Sequence, residues 1–365
     1  MDIKTDIKTI TSIAPGRTCL FGDHQDYLGL PVIACAINRY IKLTAVKNNT
    51  GVFKIDMQDI NEVRIIDIKE NFPVLEPRDY FASSLRVLKR YGCIPTIGYD
   101  ITVLGNIPIN SGTSSSSALL MAWINFLVNA FGVDNEITPE FISKIGHASE
   151  VLEHGEPGGM MDHYSIGVGN MVYINTSNPF SCNVIGTELD GLITGVSGVP
   201  KETVGLLTEV KGNALNAIEI VKQNFKNFDL NKTEVEDIYK YSDCLSSLLV
   251  PYFEAAIKNH HYTKEALIEF NKPILDLKKI GELMNGHHRV LKELLKITVP
   301  RIDDMIDAAL KAGAYGAKIV GSGGGGSIVV MAEPEHEETI VKAILAAGAK
   351  EAYGVSVDSG ARISK

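Results

Sequence analysis

The chain has 365 residues, of which 45% are hydrophobic, and a formal charge of −9. That is enough apolar material for two lobes rather than one, and the acidic balance without a Lys/Arg stripe excludes nucleic acid and acidic membrane as partners. No apolar run is long enough to span a bilayer, MDIKTDIKTI lacks an h-region, and the five cysteines form no C-x-x-C pair, so the expectation is a cytoplasmic protein with buried free thiols.

Residues 13–20 read as a short strand broken at Pro15-Gly16, and β-branched content predicts strands at 37–46, 52–56 and 63–68. Residues 79–91 predict a helix with Phe81, Leu85 and Leu88 on one face and Arg86, Lys89 and Arg90 off it. A strand at 99–104 follows. Then PINSGTSSSSALLMAWINFL runs a loop of small residues into an almost wholly apolar helix, a composition that buries it. Thr138-Pro139-Glu140 starts the next helix, with an N-cap, a proline at the first helical position and an acid at the positive end. At 3.6 residues per turn this helix buries Phe141, Ile145, Ala148 and Leu152, and turns Glu150 about 200° from the last two, toward solvent.

A Gly/Pro-rich turn at 154–159, the run MMDHYSIGVGN and a strand MVYIN come next. Beyond residue 185 the texture changes to long helices between 213 and 296. An amphipathic helix carrying Ile302, Met305, Ile306, Ala309 and Leu310 follows, then strand YGAKIV, loop GSGGGG, strand SIVVM, a helix at 336–348 and a last strand near 351–357. No tandem repeat is present. The expected division is a first lobe over 1–185 and a second over 186–365.

The serine loop is the most informative stretch. Amides at a helix start lack intrahelical partners and sit at the positive end of the dipole, so Gly112 and Ser114–Ser117 form a phosphate cradle. One serine would cap a helix; four in a row after a glycine point to an anion. A serine hydroxyl there could also take Mg²⁺, which uses few protein ligands. The G-x-x-x-x-G-K-[ST] loop is absent. Gly321, Gly323 and Gly326 fit G-x-G-x-x-G, but a strand follows where a dinucleotide fold needs a helix. Strand, glycine loop and strand form a hairpin, and a tight turn alone needs only one or two glycines.

APGRTCLFGDHQDYLGLPVIACAI concentrates Arg17, Asp23, His24, Asp26 and Tyr27 between apolar flanks. A solvated loop with an Asx turn would hold such groups, but beside a core they need partners, which a polyhydroxylated ligand supplies. Asp162 fits equally as the N-cap of a short helix and as a working carboxylate. The histidines show no metal-ligand spacing, and no G-x-S-x-G elbow is present.

In family order, these segments resemble the GHMP small-molecule kinases, and within them the galactokinases. APGRTCLFGDHQDYLGLPVIACAI is similar to the sugar signature G-R-V-N-L-I-G-E-H-T-D-Y-N-G-G, and IPINSGTSSSSAL to P-x-x-x-G-L-S-S-S-A. ASEVLEHGEPGGMMDH is similar to A-E-H-x-x-x-G-x-P-C-G-x-M-D-Q. GELMNGHHRVLKELLKITVPRIDDMIDAAL resembles the galactokinase L-M-N segment, and GSGGGGSIVV the third motif. The resemblance implies an α+β, two-lobed GHMP kinase fold with the site in the cleft between lobes, using ATP and Mg²⁺. It implies Asp162 as catalytic aspartate with Arg17 beside it, and Ser116 and Glu150 as Mg²⁺ ligands. Asp23, His24, Asp26 and Gly159 fall on sugar-contacting positions. Gly112, Thr113, Ser114, Ser115 and Ser116 fall on the phosphate loop, and Gly323 and Gly324 on the third motif.

The expected reaction is transfer of the ATP γ-phosphate to a sugar hydroxyl, the anomeric one of galactose or a related sugar. Asp23 replaces the signature glutamate, Gln25 replaces its threonine, and no Y-x-x-R-like segment occurs in VSGVPKETVGLLTEVKGNA. These departures leave galacturonate, N-acetylgalactosamine, arabinose, fucose and mevalonate as alternative acceptors. A sugar sensor without turnover is the alternative of another class. Oligomeric state is not legible in the sequence.

Overall fold

Strand β1 (Thr9–Phe21) runs through Pro15-Gly16 without breaking. The register against β2 (Val32–Lys47) shifts between Pro15 and Gly16, so a bulge absorbs the proline that a regular ladder would exclude. The structure, a computed structural model, describes residues 9–109, 111–200 and 203–364. Asn110 of the serine loop and Lys201-Glu202 of the unmatched stretch lie outside the described residues.

The chain continues through β3 (Val52–Met57), β4 (Glu62–Asp67), α1 (Tyr80–Lys89), β5 (Tyr99–Gly105), α2 (Ser115–Phe131), α3 (Pro139–His147) and α4 (Met161–Val168). Then come β6 (Met171–Asn175), β7 (Ser181–Ile185), β8 (Leu192–Val196), α5 (Thr203–Asn224), α6 (Ile238–Ser242), α7 (Val250–Phe270) and α8 (Leu277–Glu293). The last elements are α9 (Pro300–Lys311), β9 (Gly316–Val320), β10 (Ser327–Met331), α10 (Glu337–Ala346), β11 (Glu351–Val355) and β12 (Arg362–Ser364). Helix α5 starts about ten residues before the apolar texture suggests.

These strands form two sheets. The larger has the order β12-β1-β2-β5-β3-β4, and β6, with β7 beyond it, pairs the early half of β2. Within it β3 and β5 run parallel. The smaller sheet, β11-β8-β10-β9, is antiparallel throughout. Strand β12 returns to β1, so the final residues join the first sheet rather than the second.

Helix α2 lies against β1 and β2, and its Trp123 is fully buried. The indole stacks edge-on with Phe53 and Phe81 and donates to Ser84 Oγ at 2.9 Å, which satisfies its one polar group. A separate apolar cluster gathers Leu20, Phe21 and Ile33 of the first sheet with Met284 of α8 and Val329 and Met331 of β10. This seam of buried side chains joins the two sheets. All five cysteines are free, with Cys19, Cys35 and Cys93 buried. Among the described residues, no helix is long and apolar enough to cross a membrane.

Candidate active site

A cavity of about 1100 Å³ opens where the two halves meet. Its wall takes Arg17 from β1, the 23–27 loop, the serine loop, Glu150, the 156–162 turn, and Gly321 and Ser322 from the glycine loop.

Arg17 is buried and organises one wall. Its Nε and Nη2 reach the two carboxylate oxygens of Asp162 at 2.8 and 2.9 Å, a bidentate pair. Its Nη1 donates to the Gly112 carbonyl, and its backbone N–H to the Thr113 carbonyl at 3.2 Å. The serine loop passes so near β1 that a Cβ on Gly16 would stand 3.0 Å from Thr113 O, which is why glycine fits there. Ser114 precedes α2 with φ of 58° and makes no side-chain cap. Its hydroxyl donates instead to Asp162 Oδ2 at 2.5 Å. Burial works to raise the Asp162 carboxyl, but the Arg17 charge, its hydrogen bonds and Ser114 outweigh it and hold the group at about 2. Asp162 sits in the first turn of α4, after Met160 as N-cap, so it is not the cap itself.

The opposite wall holds Glu150, and here the helical wheel fails. Residues Ala148–Leu152 form a π turn after α3, with Glu153 N–H bonding to Ala148 O. The wider turn rotates its own residues away from the directions a 3.6-residue period assigns them. Glu150 is therefore buried at 8% exposure, and Leu152, expected in the core, is 65% exposed. Ser116 Oγ donates to Glu150 Oε1 at 3.3 Å, and His163 Nε2 lies 2.8 Å from Oε2. One carboxylate and one hydroxyl at the cavity fit a hard divalent cation that keeps its other positions for water and phosphate oxygens. Among the described residues, no three His, Cys, Asp or Glu side chains are grouped to enclose a metal.

The 23–27 loop divides in two. His24, at φ 64°, meets Tyr27 Oη through Nδ1 at 2.9 Å. Asp26 accepts from the amides of Tyr27 and Met161 at 3.0 and 3.3 Å. A Cβ at Gly159 would overlap the Asp26 carboxylate, so glycine is what lets the 156–162 turn close on this loop. Burial pushes the Asp26 carboxyl up; the Met161 and Tyr27 amides offset part of the shift, while nearby Asp162 adds to it.

Asp23 differs. Lys318 of β9, fully buried, donates to Asp23 Oδ2 at 2.5 Å and to the carbonyls of Cys19 and Ile319 at 3.0 and 2.8 Å. Gly321 N–H donates to Asp23 Oδ1 at 2.6 Å. Asp23, expected at a sugar-contacting position, lines the cavity but is fully buried as a side chain, with both oxygens engaged by the second half of the chain. Lys318 is the residue that sequence reasoning missed, and its one signal was a lone lysine inside the apolar strand YGAKIV. Gln25 is buried as well, donating to Pro31 O at 2.9 Å and accepting from Thr263 of α7 at 3.3 Å.

Three further expected contacts point elsewhere. Thr113 is buried, and its hydroxyl meets Ser111 Oγ at 2.6 Å rather than the cavity. Gly323 packs against Ile297, and Gly324 N–H donates to Ile297 O at 2.8 Å. Gly321 and Gly323–Gly326 all have positive φ, so the run of glycines answers a backbone demand. Gly112, Ser114, Ser115 and Ser116 do line the cavity.

Three families of sequence match the chain: the galactokinase galactose-binding signature over residues 4–46, the GHMP kinases N-terminal domain over 79–170, and the GHMP kinases C-terminal domain over 264–350. Together they span more than half of it. Mevalonate kinase of Pyrococcus horikoshii is 28% identical over 356 residues, covering 94% of each chain. Galactokinase of Limosilactobacillus reuteri is 26% identical over 352 residues, covering 90% of this chain and 87% of its own. The crystal structure of Lactococcus lactis galactokinase complexed with galactose shares the fold at a TM-score of 0.85, with 20% identity over 98% of this chain and 95% of that one. The chain belongs to the GHMP kinases and is, like them, an ATP-dependent phosphotransferase.

Proposed function

We propose that the acceptor is a neutral sugar, galactose or a close relative, phosphorylated on its anomeric C1 hydroxyl. The observation that carries this reading is the charge inventory of the cavity. Carboxylates outnumber cations along it, and the two arginines lining it among the described residues, Arg17 and Arg78, are each paired with a carboxylate. A mevalonate or galacturonate carboxylate would meet no uncommitted arginine there, and the nearby Lys211 ammonium is engaged by the Pro157 carbonyl at 3.0 Å and the face of Tyr27. Sugar hydroxyls can share the carboxylates and amides already present.

In this reading the ATP phosphates lie over Gly112 and Ser114–Ser116, at the amides opening α2. Ser116 and Glu150 would hold Mg²⁺, which when bound offsets the charge of the phosphates. Asp162 accepts the proton of the attacking hydroxyl or assists its loss electrostatically. Arg17 keeps Asp162 ionised and aims it. Positioning dominates phosphoryl transfer, so a large acid–base contribution is not required. His24, Asp26 and Gly159 form the sugar end. The first lobe, through residue 185, carries these groups; the second, from residue 186, closes the cavity with the glycine loop and returns β12 to the first sheet.

Measuring ADP release with galactose, N-acetylgalactosamine, arabinose, fucose, galacturonate and mevalonate tests the reading. It expects a neutral sugar to give the highest kcat/KM, with galacturonate and mevalonate at least about tenfold lower, as a missing charge partner requires. Mevalonate as the best acceptor overturns it, and so does the absence of ADP release with every one of them.

A further inference from the structure

The proposed chemistry leaves a buried imidazole of the cavity wall without a task. His163 comes directly after Asp162 in α4, lines the cavity and is 2% exposed. Successive helical residues point about 100° apart. Asp162 thus faces Arg17 and Ser114, while His163 faces Glu150, with Nε2 2.8 Å from Oε2. An ionised carboxylate only accepts, so Nε2 carries the hydrogen and donates it. Nδ1 is buried with no hydrogen-bond partner, so the ring's one polar contact is the one to Glu150.

The ring itself is clamped. A Cβ at Gly146 would fall 3.1 Å from His163 Cδ2 and 2.5 Å from Met121 Sδ, so α3, α2 and α4 meet at the imidazole with no room to spare. His147 closes another side, its ring centroid 5.6 Å away and edge-on. Glu150 by contrast sits on a π turn, where the regular helical ladder is interrupted, and has three rotatable bonds. Its carboxylate is held at one oxygen by His163 and at the other by the longer contact to Ser116.

We infer that His163 is a positioning residue for the metal: through its Nε2–H it fixes the Glu150 carboxylate so that the remaining lone pairs face the divalent cation. The inference rests on the reading of Ser116 and Glu150 as the Mg²⁺ site. Two consecutive residues of α4 then set the two halves of the reaction centre, Asp162 toward the acceptor and His163 toward the metal. Hydrogen bonds of this kind to a ligating carboxylate typically change metal affinity or activity by about 10- to 100-fold.

The test is calorimetric and needs no turnover. The affinity of a non-hydrolysable ATP analogue is measured with Mg²⁺ and again with EDTA, and the ratio reports the metal's contribution. His163→Phe, which fills the space without a donor, is expected to lower that ratio about tenfold with the EDTA value unchanged. His163→Asn, too short to reach Glu150, is expected to do the same and serves if the phenylalanine disturbs folding. His163→Gln, whose amide can occupy the Nε2 position, is expected to restore the ratio. In a Glu150→Gln background, His163→Phe is expected to add less than about twofold, because the two act as one unit. An unchanged ratio in both His163→Phe and His163→Asn, with Glu150→Gln lowering it, overturns the role of His163 alone. An unchanged ratio in Glu150→Gln overturns the metal-site reading, and this inference with it.

Discussion

Two acid–base pairs meet at the same cleft and are built for opposite ends. Arg17–Asp162 leaves the aspartate side chain 30% exposed against 5% for the arginine, so one face of the carboxylate remains open to the cavity. Lys318–Asp23 has 0% on both sides, and every ammonium proton and carboxylate oxygen has a partner inside the protein. The first pair presents an ionised group to a ligand. The second ties the 23–27 loop of the first sheet to β9 and the glycine loop of the second. A carboxylate in a binding motif is therefore open to a ligand only if the fold leaves it exposed to the cavity, whether or not its oxygens already have partners.

The comparison can be broken at either pair, and the largest effect is expected at the open one. Asp162→Asn should reduce kcat by about 10³-fold while ATP affinity stays near wild type, within the range for loss of a positioned proton acceptor, and should lower the melting temperature because buried Arg17 loses its charge partner. Turnover near wild type would remove Asp162 from the chemistry. Lys318→Met should instead cost stability, about 3 kcal/mol, because it leaves the Asp23 charge buried and unpaired. Denaturant unfolding reads this, and pairing it with Asp23→Asn should recover part of the loss. Purely additive losses would mean that the two groups do not act together.

A subtler separation comes from pH. Burial works to raise the Asp162 carboxyl and Arg17 overrides it, so the group sits at about 2 rather than 3.8. Its ionised form contributes stability that is complete above the unfolded value of 3.8 and is lost as pH falls through about 2. In Arg17→Met the burial effect stands unopposed by that cation, so the acid limb of the kcat/KM profile should move to higher pH. An unmoved limb would mean that Arg17 does not set the Asp162 charge. The smallest effect is expected at the edge of the site: Ser116→Ala should raise the half-saturating Mg²⁺ concentration by less than about tenfold, since Glu150 remains. An unchanged Mg²⁺ titration would argue against the hydroxyl as a ligand.

The sequence made the open pair legible and hid the sealed one. Arg17, Ser114 and Asp162 fall in segments whose order and spacing resemble the GHMP kinases, and the fold brings them together. Glu150 was legible only through that resemblance, because a fixed 3.6-residue period turns it to solvent and cannot register a π turn. Lys318 lies 295 residues from Asp23, and no local pattern links a lysine in one strand to an aspartate in a distant loop. The glycine loop joins β9 and β10 in the hairpin that strand, glycines and strand predict. Its glycines serve positive φ and close packing against Ile297 and Val199, however, which a count of glycines does not distinguish from ligand contact. The run through Pro15 was hidden for a related reason, since a bulge depends on the partner strand.

Relatives of this chain include both galactokinases and mevalonate kinases, so the acceptor is where the account is most exposed. Galactose and mevalonate can be offered together, at equal concentration with limiting ATP and Mg²⁺, and the product read by ³¹P NMR. The account predicts a single new phosphate ester, coupled to the anomeric proton of the sugar. A phosphomevalonate signal as the main product would contradict it.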